Sequence, residues 1–148
     1  LMSAVPRQKD GANHLTRLAS DYVALYIANV RLVEALASEY GFTAYYVWQP
    51  NPHISEKPAT VFEQEIAATL STASFQQDLT TLHRIIAANI PGAMDSVTPG
   101  RFQDLTGIFD TIEGPIWVDV IGHTTEAGAQ MVGEEIAKLL SQSDSGGA

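Results

Sequence analysis

The chain contains no cysteine. Disulfide staples, thiolate nucleophiles and zinc–thiolate centres are therefore excluded. Basic residues are scarce: eight Lys and Arg stand against 17 Asp and Glu, a formal net charge of −9. Such a surface repels polyanions, which argues against nucleic acid and anionic membrane as partners. No apolar run approaches the roughly 18–20 residues that a membrane-spanning helix needs. The first ten residues, LMSAVPRQKD, lack the apolar stretch of a signal peptide. The four histidines show neither His-x-x-x-His nor His-Glu-x-x-His spacing, so no metal site is expected.

What is present suffices for a core. The chain has 148 residues, 45% of them hydrophobic and 17% charged, the composition of one folded domain. It begins with Leu1 rather than methionine. That start is read as a hint of a sequence that opens part-way through a protein, or after a processed or cloned end.

Residues 1–13 are polar and turn-rich and are expected to be irregular. From His14 to Tyr40 the apolar residues fall at helical spacing, with Gly41 as a C-terminal stop. FTAYYVWQP, closed by Pro50, reads as a buried strand and NPHISEKP as a loop. Thr60 and Glu63 form a capping-box signature before a helix to about Ser71. Residues 76–90 predict another helix, ended by Pro91-Gly92. Thr98-Pro99 predicts a short helix through RFQDLTGIF. Ile116–Ile121 predicts a second strand, and Thr124 or Thr125 caps a last helix to about Leu140. Residues 141–148 read as a flexible tail.

Strands alternating with helices imply a parallel sheet covered on both faces. Two strands are few for so many amphipathic helices, since doubly wound domains have about five. The chain is therefore expected to be the C-terminal part of a larger α/β domain, or to pair with a polypeptide that supplies further strands. Ligands of open α/β sheets bind beyond the C-terminal ends of the strands, where Asp119 and His123 fall. A carboxylate that fixes the tautomer of a histidine makes it a general base. The same two residues also fit a helix cap and an ordinary loop histidine.

DVIGHTTEAG followed by MVGEEIAKLL resembles the last motif block of the SGNH/GDSL hydrolases. FQDLTGIFD resembles the family's Asp-Leu-Ser/Thr segment. The run from YIANVRLVEALASEYG through QPNPHISEKPATVFEQE is similar to the middle of bacterial members, so the likeness covers roughly residues 20–140. It implies a flavodoxin-like α/β/α sandwich of parallel strands, of which this chain is the C-terminal part and lacks the N-terminal strands. It implies hydrolysis of a small-molecule ester through a Ser-His-Asp mechanism with no cofactor. His123 matches the family's base and Asp119 its orienting partner. The family spaces these by two residues, whereas here Val120, Ile121 and Gly122 intervene; either a bulge at Gly122 absorbs the difference or the partner of His123 lies elsewhere. No Gly-Asp-Ser follows a strand, and Ser145 in SDSGG follows a helix, so the nucleophile serine is expected to lie outside this chain. Gly11 and Asn13 in GANH echo the family's Gly-x-Asn-Asp oxyanion motif.

Among the remaining residues, His53 is placed where it can line the same cleft. His83 reads as a surface residue, Tyr46 and Trp48 as core, and Glu134 with Lys138 as an i, i+4 pair. The alternative from another class is a non-catalytic, self-associating structural or binding module, joined through the edge of the strand near 43–49.

Overall fold

The computed structural model describes the backbone of residues 7–69 and 73–144, and side chains over 13–69 and 76–141. It is helix-rich, with a two-stranded parallel sheet. The order is α1 (Arg7–Tyr40), β1 (Tyr46–Trp48), α2 (Val61–Ala68), α3 (Ala73–Asp95), β2 (Phe102–Asp104) and α4 (Glu126–Asp144). β1 and β2 pair in the register Tyr46–Phe102, Val47–Gln103, Trp48–Asp104. Parallel pairing demands a long crossover, and α2 and α3 supply it.

The sheet has two differently used faces, because successive side chains of a strand point opposite ways. Tyr46, Trp48 and Phe102 pack with α1 and α3 around Ala19, Ile27, Val30, Ile86, Ile90 and Met94. Trp48 meets Tyr26 edge-on at 5.4 Å. Gln103 points the other way and donates to Glu135 of α4 at 3.3 Å. A second core, Phe109, Ile116 and Trp117, is closed by Met131 and Val132 of α4.

α1 ends as the sequence predicts. Gly41 takes φ 71°, and its N–H and that of Phe42 both reach the Ala37 carbonyl. At its start α1 includes residues 7–13, which the sequence led us to expect as irregular; residues 1–6 lie outside the description. Gly11 and Asn13 thus stand within a helix and not in a strand-to-helix turn, which removes their likeness to an oxyanion loop. α4 likewise runs to Asp144, past the expected end, while Ser145 lies outside the described residues.

Three further expectations are corrected. Pro91 does not end α3, which continues to Asp95. Proline removes one helical hydrogen bond, but Ile90 and Met94 on either side are fully buried and hold that turn in place. RFQDLTGIF is not a helix: Gly100 turns the chain at φ 72° and residues 102–104 become β2. Arg101 fixes this register by donating to the Glu34 carboxylate and, at 3.0 Å, to the Ala44 carbonyl, while Tyr46 O–H donates to the same Glu34 at 2.8 Å. Residues 116–121 do not form a strand. The N–H groups of Ile116 and Trp117 go to the Glu63 side chain and that of Ile121 to Asp119, leaving one antiparallel bridge between Trp117 and Thr124.

Candidate active site

The Asp119–His123 loop is held at its base before anything is placed at its tip. Val118 N–H donates to the His123 carbonyl at 3.0 Å and Thr125 N–H to the Ile116 carbonyl at 2.7 Å. Thr125 precedes α4, and its hydroxyl oxygen accepts from Gly128 N–H at 3.4 Å. Gly128 is needed at this junction for its size. A Cβ there would lie 2.9 Å from Thr124 Cβ and 3.2 Å from Ile116 Cγ2. Gly128→Ala is expected to destabilise the protein by roughly 1–3 kcal/mol, although alanine favours helix, because the first turn of α4 must shift off the loop. Thermal denaturation of the single variant checks this; a higher melting temperature would refute the close-approach argument.

Within the loop, Asp119 organises the backbone. Its Oδ1 accepts from the N–H groups of Ile121, Gly122 and His123 at 3.0, 3.1 and 3.1 Å. Its Oδ2 meets His123 Nδ1 in a short contact. Gly122 at φ 106° adopts a conformation that suits glycine, and so accommodates the third residue between Asp119 and His123. Burial acts to raise the Asp119 carboxyl, but the His123 ring and the backbone N–H groups of His123 and Ile121 outweigh it and hold the group below its usual value. With Nδ1 engaged by the carboxylate, the Nε2 edge of His123 is left for a reacting group. The His123 side chain is 71% exposed.

The loop's footing is a buried carboxylate. Glu63 Oε1 accepts from the N–H groups of Ile116 and Trp117, both at 2.9 Å. Its Oε2 accepts from Lys57 Nζ at 2.7 Å, from Thr60 N–H at 2.8 Å and from Thr60 O–H at 3.0 Å. Glu63 therefore closes the capping box of α2 and takes the donors that a neighbouring strand would take. Lys57 and Glu63 are both buried. Desolvation works against the charge on Glu63, but Lys57 and the N–H groups of Trp117, Thr60 and Ile116 prevail and bring its pKa down to about 2. The capping box was visible in the sequence. The long-range role of Glu63, more than fifty residues from its partners, had no signal there, and neither did the burial of Lys57.

A cleft of about 290 Å³ opens beside Asp119. The loop after β1 lines it through His53 and Ser55, α2 through Ile66 and Ala67, and the hairpin through Trp117 and Val120. It lies off the C-terminal end of β1, the usual ligand side of a parallel sheet. His53 thus shares the cleft with Asp119, and burial lowers its pKa, partly offset by its bond to the Val120 backbone. His83 is not a plain surface residue. It is half-buried, stacks on His53 at 5.4 Å and has Asn51 Nδ2 3.2 Å from its Nδ1. On α4, Lys138 pairs with Glu135 and not with Glu134, which accepts from Gln130 at 2.9 Å.

The chain matches no family model, no curated protein and no solved structure. The chemistry must be argued from the site. A carboxylate-oriented imidazole with one open nitrogen can accept a proton from a hydroxyl or water and return it. Among the described residues no three His, Asp or Glu side chains form a group that could hold a metal ion. No described helix is long and apolar enough to cross a membrane.

Proposed function

We propose that this chain supplies the histidine–aspartate half of an acyl-ester hydrolase of the SGNH/GDSL type, in a flavodoxin-like domain completed by further parallel strands. One observation carries the reading: Asp119 fixes the ring of His123 through Nδ1 while three backbone N–H groups fix Asp119. A loop histidine with a merely structural role needs no such double restraint. Among the described residues no serine is hydrogen-bonded to His123. In this reading the nucleophile serine is supplied by further polypeptide of the same domain or by a companion chain.

In the proposed cycle His123 Nε2 takes the proton of that serine as its oxygen attacks the ester carbonyl. The imidazolium is stabilised by Asp119. It then protonates the leaving alcohol, and the acyl-enzyme remains. Water, deprotonated by the same Nε2, attacks the acyl carbonyl, and the proton returns to the serine as the acid leaves. Neither a metal nor an organic cofactor enters this scheme.

The test is fluorophosphonate labelling of native protein, read by denaturing intact mass. A longer chain or a companion polypeptide carrying one adduct supports the reading, and the 148-residue chain alone is expected to stay unlabelled and inactive. An unlabelled sample in which this chain is the sole species retires it. The second reading, a self-associating module without catalysis, is favoured by the outer edge of β1, which has no strand beside it among the described residues.

A further inference from the structure

α1 is apolar on two faces, and the core uses one of them. Ala19, Ile27, Val30 and Ala37 are buried against the body of the protein. On another face Leu18, Tyr22, Leu25, Leu32 and Leu36 are exposed, Leu25 and Leu32 by 63% and 62%. Leu18, Leu25 and Leu32 recur every seven residues, and so do Tyr22, Asn29 and Leu36. Together they make the two lines of a heptad seam running about 27 Å along the helix at 1.5 Å per residue. Exposed Ala24, Ala28 and Ala35 flank it and leave room for a close neighbour.

We infer that this seam is a homodimer interface, filled by α1 of a second copy running antiparallel. The seven-residue repeat is the period that a partner helix reads. Asn29 is its polar interruption, which argues against a lipid surface as the occupant, where its amide would be left without a partner. The charges choose the direction. Glu39 falls on the Leu18–Leu25–Leu32 line, so a parallel pair would set Glu39 against Glu39. An antiparallel pair sets Leu18 opposite Leu36, Tyr22 opposite Leu32 and Leu25 opposite Asn29. It brings Arg17 near Glu39 and Asp21 near Arg31, opposite signs in both cases. The two Asn29 residues then occupy neighbouring layers on either side of the twofold axis. The inference stands apart from the hydrolase reading and needs neither Asp119 nor His123.

Sedimentation and light scattering on the full chain test it. The expected result is a concentration-dependent species of twice the 15.9 kDa chain mass. The double substitution Leu25→Glu with Leu32→Glu should abolish it without changing the far-ultraviolet circular dichroism. Because the protein has no cysteine, direction can be read by crosslinking. Leu18→Cys mixed with Leu36→Cys should form a disulfide-linked pair, and Leu18→Cys alone should not. A wild-type chain that stays monomeric, whether free or captured by neutral vesicles, overturns the proposal. So does a dimer that survives both glutamates, or one in which Leu18→Cys links to itself.

Discussion

In the proposed hydrolase, His123→Ala is expected to lower kcat at least ~10³-fold with little change in KM, because a general base acts on the transition state and not on substrate binding. The imidazole is the only group on this loop with an open nitrogen, and its other nitrogen is already committed to Asp119. Asp119→Asn preserves the shape of the loop and its Oδ1 acceptor but removes the charge. A fall of ~10²–10⁴-fold is expected, since the amide favours the wrong tautomer. The Asp119 carboxyl is held below its usual value, which favours the charged form that this role requires. Added imidazole should partly restore His123→Ala, which a purely structural role for the side chain would not allow. A wild-type rate in the alanine variant would end the assignment.

Glu63→Ala is expected to destabilise the fold by about 3–5 kcal/mol, the cost of leaving one member of a buried ion pair without its partner. Five hydrogen bonds converge on that carboxylate, from Lys57, Thr60, Ile116 and Trp117. Removal strands a buried ammonium group and three backbone N–H groups together. Total domain stabilities run to about 5–15 kcal/mol, so the loss is a large fraction. The pH dependence follows from the lowered pKa. A carboxyl at about 2 when folded and near its ordinary 4.5 when unfolded contributes its full stability above 4.5. That contribution declines as pH falls and is gone below about 2, a difference on the order of 3 kcal/mol. Melting curves from pH 6 down to pH 2 should therefore slope less steeply for Glu63→Gln than for the wild type. Parallel curves would show that the charge of Glu63 contributes nothing. In the proposed hydrolase the same variant should also lose rate, through the displaced 116–124 hairpin.

Periodicity and punctuation located the long elements. The α1 pattern and its Gly41 stop, the Thr60–Glu63 cap and the last helix after Thr125 all act within one or two turns of chain, and local chemistry decides them. The second strand was misplaced for the opposite reason. IWVDVI has the composition of a buried strand, yet its donors are taken by Glu63 and by Asp119, from side chains that no periodicity reveals. FQD has little strand character, and becomes β2 because Arg101 reaches across to Glu34 and Ala44. Pro91 looked like a stop because propensity counts the lost hydrogen bond and not the packing of Ile90 and Met94.

The sequence by itself determined the class: an acidic, cysteine-free, helix-rich α/β chain with Asp119 and His123 in one short loop before its last helix. Spacing kept those two within one short loop, and the bonds from Ile121, Gly122 and His123 N–H to Asp119 fold that loop so that they meet. Only the tertiary structure decided how the loop is anchored, which pair of segments forms the sheet and that His53 shares the cleft with Asp119. Each of these depends on contacts between residues fifty or more positions apart. Such contacts are settled by which buried polar groups find partners when the layers close, and that competition has no local signature.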